Sequence, residues 1–130
     1  MAYSTRTNLV SNAGVVASDV TGVGSGRMAL AACSFGEDKG IFGFGTTGSY
    51  VSTTNLVSNA GVLSSDVTGV GTGRRALAAT QYDGDKAIFG YGDTGSNVSI
   101  TNLVSNAGVV TTDVTGVGTA RAYLAACSFN

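Results

Sequence analysis

Thr7-Asn8-Leu9-Val10-Ser11-Asn12-Ala13-Gly14-Val15 returns from Thr54 to Val62 and again from Thr101 to Val109, each time after about 47 residues. Other landmarks keep the same step. Ser18-Asp19-Val20-Thr21-Gly22-Val23-Gly24 comes back as Ser65 to Gly71 and as Thr112 to Gly118. Arg27, Arg74 and Arg121 are spaced alike, and Ala-Leu-Ala-Ala follows at Ala29 and Ala76, becoming Ala-Tyr-Leu-Ala-Ala at Ala122. Two full units, 27–73 and 74–120, are roughly 70% identical, flanked by partial units 1–26 and 121–130 in a single repeat domain. So close a match implies recent duplication or deliberate design.

Inside one unit the pattern predicts four short strands. The first is 74–82, and Asp83-Gly84-Asp85 turns the chain, since glycine takes positive φ at little cost. The second, 86–92, carries the β-branched and aromatic residues Ile88, Phe89 and Tyr91. A turn at 93–96 leads to the third, 97–104, where polar and apolar positions roughly alternate. Ser105-Asn106-Ala107-Gly108 turns again, and the fourth strand runs over 109–114. No stretch repeats apolar residues at the helical period for long, so the fold is expected to be all-β.

Composition agrees with a folded, turn-rich chain and narrows what it does. Of 130 residues 20 are glycine and none is histidine, tryptophan or proline, while only 12% are charged and 43% are hydrophobic. A disordered chain would show the reverse balance. Net charge is −1 and the seven basic residues are scattered, so no basic stripe offers itself to nucleic acid and no basic amphipathic segment to a membrane surface. Apolar runs are too short for a transmembrane helix, and the first residues lack the apolar centre of a secretory signal. Localisation stays open.

Four strands in about 47 residues is the size of a propeller blade. The order of features resembles the kelch family: Arg74 and the small-residue strand Ala76 to Ala79, then Ile88-Phe89-Gly90-Tyr91-Gly92, two further strands, and the next Arg121. Gly-Phe-Gly or Gly-Tyr-Gly stands where that family has a glycine doublet. The resemblance implies a β-propeller of four-stranded blades; a β-trefoil, also built of three four-stranded repeats, is the alternative fold. Propellers close with about four to eight blades, more than this chain supplies, so the ring is expected to be completed by oligomerisation, a dimer being favoured. Residues 3–10 align with a third strand and the last residues with a first. One copy's C-terminal strand would then complete a blade begun at another's N-terminus, with no equivalent of the second strand 39–45.

Several motifs bear on chemistry. Gly43-Phe44-Gly45-Thr46-Thr47-Gly48 and Gly90-Tyr91-Gly92-Asp93-Thr94-Gly95 spell the dinucleotide fingerprint, but strand-like sequence follows where that site needs a helix. Cys33 and Cys127 fall at equivalent places two units apart, with Thr80 between, and read as small buried residues beside alanine. Without histidine a serine or cysteine nucleophile lacks its usual base, and no carboxylate pair stands apart from the repeat. No catalytic, metal or cofactor residue is therefore assigned, and the chain is read as a non-enzymatic self-assembling protein with a structural or scaffolding role. A multivalent ligand-binding module, lectin-like with one site per blade, is the alternative. Its candidate residues are the arginine ring Arg27, Arg74 and Arg121, which would gather a small anion or glycan, with the turn residues Asn12, Asn59 and Asn106. Asp19, Asp66 and Asp113 repeat beside the arginines, and pairing between the two sets is the plainer expectation.

Overall fold

The structure, a computed structural model, describes residues 2–129. Six strands form two antiparallel sheets of three. β1 (Ala31–Phe35), β2 (Lys39–Gly43) and β3 (Thr54–Val57) make the first; β4 (Ala78–Tyr82), β5 (Lys86–Asp93) and β6 (Asn97–Val104) make the second. Neighbours in sequence are neighbours in each sheet. Among the described residues there is no helix, so none is long and apolar enough to cross a membrane.

The hairpins follow from turn chemistry. Gly36 and Glu37 between β1 and β2, and Asp83 and Gly84 between β4 and β5, are all left-handed. Left-handed residues let a short loop follow the twist of the strands it joins. Each loop here spans three residues, so Phe35 pairs with Lys39, and Tyr82 with Lys86. At the other end of β5 the register slips between Gly90 and Gly92, leaving Tyr91 as a bulge residue at φ 63°. Phe44 takes the same φ in the first unit. The bend carries the Phe44 ring inward, where it is fully buried, 5.0 Å from Phe89 and tilted 52° to it, while Tyr91 stays half-buried. Around them Ala31, Phe35, Ile41, Leu77, Ala87, Val104 and Val110 complete the core.

The third strand 97–104 has the bounds expected of it, and the second runs one residue further than 92, to Asp93. The first is shorter than 74–82, because Ala76 is left-handed and Arg75 bridges to Asp93 instead. The fourth segment is not a continuous strand. It touches the third only at bridges such as Thr54–Val67 and Val57–Leu63, repeated as Thr101–Val114 and Val104–Val110. Side chains explain the gap: the Leu56 amide donates to Ser64 Oγ (2.9 Å) and the Leu103 amide to Thr111 Oγ1 (3.1 Å), replacing ladder bonds. Residues 3–10, expected as a third strand, reach only the bridges Thr7–Val20 and Val10–Val16. The last described residues, expected as a first strand, have no strand pairing. A strand needs a partner's ladder to hold it, and neither segment lies beside an equivalent of β2 or β5.

Units are joined to one another by backbone. Ala76 N–H donates to Ala29 O (2.8 Å) and Tyr123 N–H to Ala76 O (2.8 Å), while Gly45 donates to Arg74 O and Gly92 to Arg121 O. Ala29, Ala76 and Tyr123 are all left-handed, near φ 55°. β1 lies against β4 and β5 as a result. Phe89 holds this seam closed. Phe89→Ala is expected to cost about 3–5 kcal/mol of stability, and Val109→Ala, at an exposed site, less than about 0.5 kcal/mol, as read from urea unfolding midpoints.

Candidate functional site

Each complete unit closes on a carboxylate. Asp66, on the fourth segment, accepts the Ser25 backbone N–H (3.1 Å to Oδ2) and the Ser25 hydroxyl (2.7 Å) from the loop that leads into the first strand. It also accepts Asn55 Nδ2–H (2.8 Å) from β3 and lies 3.7 Å from the Arg27 guanidinium. Arg27 in turn donates to Asn55 Oδ1. The next unit repeats these bonds with threonine in place of serine: Asp113 takes the Thr72 N–H (3.1 Å), the Thr72 hydroxyl (2.6 Å) and Asn102 Nδ2–H (2.9 Å). Gly24 and Gly71 make room, since a Cβ at either would strike the carboxylate and the asparagine amide.

The electrostatics follow from this geometry. Hydrogen bonds from Asn55, then Ser25, hold the Asp66 carboxyl below its usual value. Burial pushes Asp113 up, but the donors Thr72 and Asn102 together with Arg74 outweigh it and leave that group lowered too. Burial depresses Arg27, against the pull of Asp66, and lowers Arg74 to about 10.

The arginines also reach across units. Arg74 stacks on Phe44 of the preceding unit, 4.4 Å from its ring centre, and Arg121 stacks on Tyr91 at 4.1 Å. Arg27 lies instead over Phe42 of its own unit, at 5.4 Å. That difference changes the clasp. Arg74 Nε donates to Tyr91 O (2.6 Å) and leaves Nη2 and Asn102 Oδ1 buried and unpaired, whereas Arg27 makes the equivalent asparagine bond.

The candidate ring residues are therefore not equivalent. Arg27 and Arg74 are 7% and 0% exposed, with the aspartates beside them, while Arg121 is exposed and donates to Thr119 O (3.0 Å). Asn12, Asn59 and Asn106 sit exposed on the turns between third and fourth segments, and none bonds an arginine. Asn106 donates to Asp85 (3.2 Å). Asn59 edges a cavity of about 520 Å³ whose wall includes Phe35, Leu56 and Leu63. Gly45 and Gly48 bend the fingerprint-like segment, with a bridge from Thr46 to Tyr50 after it and no helix. Both thiols are free; burial raises Cys33 to about 11, whereas Cys127 is exposed and not buried as expected, because the segment that carries it has no strand pairing.

Sequence reading singled out the arginines and aspartates and missed Asn55, Asn102, Ser25 and Thr72. The signal was present, because all four repeat at the same step. Compared with known proteins, the chain matches no family model and no curated sequence.

The clasp makes the fold acid-sensitive in a defined sense. Asp66 and Asp113 sit below their unfolded values, so they stabilise the fold above about pH 4, and that contribution is lost as pH falls through the lowered folded values. Urea midpoints measured from about pH 6 down to about pH 3 should fall accordingly, and less steeply in Asp66→Asn/Asp113→Asn. Asp66→Ala at neutral pH should cost about 2–3 kcal/mol.

Proposed function

We propose that the chain is a non-enzymatic, self-assembling β-propeller protein of kelch-like blades with a structural or scaffolding role. The observation that carries this reading is the direction of the unit-to-unit bonds. The links from Ala29 to Ala76 to Tyr123 run one way along the chain, and each unit meets the next through the same repeat positions. A ring of blades is a natural continuation of such a series. The order of segments within a unit, a meander of three strands with a bridged fourth, supports the blade reading. Polar groups that a ligand would use are instead bonded to one another, Asp66 to Ser25 and Asn55 above all.

Self-assembly is supported by what the outer units leave uncovered. Val10 and Val16 are each more than 60% exposed, Tyr123 is 79% exposed and Phe129 entirely so. The counterparts of Val10, Val57 and Val104, are half-buried and buried, as are those of Val16, Leu63 and Val110, in turn. Apolar surface of that kind, beside unpaired strand edges, favours association. Light scattering on a size-exclusion column should give a mass near twice the 12.9 kDa of the chain. A monomer at every concentration would refute self-assembly.

A further inference from the structure

We infer that two copies of this chain meet head to tail, with Asp19 and Gly14 of one copy receiving Thr119, Arg121 and Leu103 of the other. The inference rests on the self-assembly reading and adds the contact and its polarity.

The chain contains its own template for the joint. In both closed clasps a carboxylate on the fourth segment binds a hydroxyl residue and lies beside an arginine of the lead-in loop, as in Asp66 with Ser25 and Arg27. Among the described residues two halves of a third clasp remain apart. Asp19 is held by Asn8 (2.9 Å) and by Arg6 (3.4 Å), with no lead-in loop against it. Thr119 and Arg121 form the matching loop, and no carboxylate binds either. Gly118 keeps the left-handed backbone of Gly24 and Gly71, φ 81°. Where those two glycines face an aspartate and an asparagine, a Cβ on Gly118 would meet only the Tyr91 hydroxyl, at 3.5 Å.

A second pair of surfaces points the same way. Leu9 packs over Gly61, and Leu56 packs over Gly108, close enough that a Cβ on either glycine would strike the leucine side chain. Gly14 is the equivalent seat and has nothing within 4 Å, while Leu103 is the equivalent leucine. The unmatched halves of both contacts divide alike: Asp19 and Gly14 lie at one end of the chain, Leu103, Thr119 and Arg121 at the other. Burial tracks the same division. Asn55 and Asn102 are at most 1% exposed, whereas Asn8 is exposed. The partner that fits is therefore a surface of this same sequence. Because the two halves differ, the contact is heterologous, and two such contacts close a ring of two copies.

Cysteine pairing tests it, in a background of Cys33→Thr and Cys127→Thr, threonine being what the middle unit has at Thr80. Ser25→Cys/Asp66→Cys is the internal control and should form a disulfide within one chain. Asp19→Cys and Thr119→Cys are made on separate chains. Their oxidised mixture should give a covalent dimer that neither gives alone. Asp19→Ala should weaken association about tenfold or more by light scattering. If the control closes, the mixture does not, and the mass is still that of a dimer, the joint lies elsewhere: this inference falls and self-assembly stands. A monomeric parent chain removes both. A chain carrying both Asp19→Cys and Thr119→Cys that closes on itself as a monomer overturns the second copy in favour of the chain's own two ends.

Discussion

A loop that leads into a β-meander has no ladder to hold it, and here a single carboxylate does that work. Asp66 gathers the Ser25 amide and hydroxyl, the Asn55 amide and the Arg27 guanidinium onto one side chain. It thereby ties the first, third and fourth segments of a unit together at one end. Hydrogen bonds to a charged acceptor are among the stronger ones available to a protein, and these are partly shielded from water. With so few charged residues in the chain, the clasp uses a large share of them. Replacing the carboxylate would also strand a nearly buried arginine, which raises the cost beyond the bonds lost.

The arginine converts this closure within a unit into a link between units. Its guanidinium is flat, so it can stack on an aromatic ring and still donate at its edge. Arg74 lies on Phe44 and donates to Tyr91 O, which spans two units with one side chain. That in turn accounts for the left-handed aromatic at the bulge. A non-glycine residue at φ 63° costs about 1 kcal/mol or more, yet Phe44 keeps it because the bend carries its ring between Arg74 and Phe89. The Gly-Phe-Gly spelling, which looks like a phosphate-binding loop on paper, is a packing device.

How much of this could be read in the sequence depended on whether a residue acts through its neighbours in the chain or across it. Strand 97–104 and the Asp83-Gly84-Asp85 turn were legible because periodicity and turn chemistry are local. The fourth strand was not, because its ladder is interrupted by Ser64 and Thr111 hydroxyls, whose bonds depend on a register that no local pattern reveals. The same limit applies to the site. Arginine and aspartate stand out in a chain with few charges, whereas Asn55 and Asn102 look like strand residues until β3 and β6 place them beside the carboxylates. Meanwhile Asn12, Asn59 and Asn106, equally repeated, occupy exposed turns.

Near-identity between units gives an unusual kind of control. Arg27, Arg74 and Arg121 share their residue type and their place in the repeat, so differences between them report surroundings and not chemistry. Arg74 has a unit on each side and is fully buried; Arg27 lacks a preceding aromatic and turns to its own Phe42; Arg121 lacks a carboxylate and stays in solvent. Glycines report the same sequence of environments, from Gly108 and Gly61 under leucines to Gly14 under nothing. Among the described residues nothing packs against the outer units in the neighbour's place, and the surface that would fit there is specified by the joints inside the chain. A repeat whose joints are this alike cannot distinguish an internal unit from one presented by another copy. The contacts that hold it together are for that reason also the ones that the proposed association would reuse.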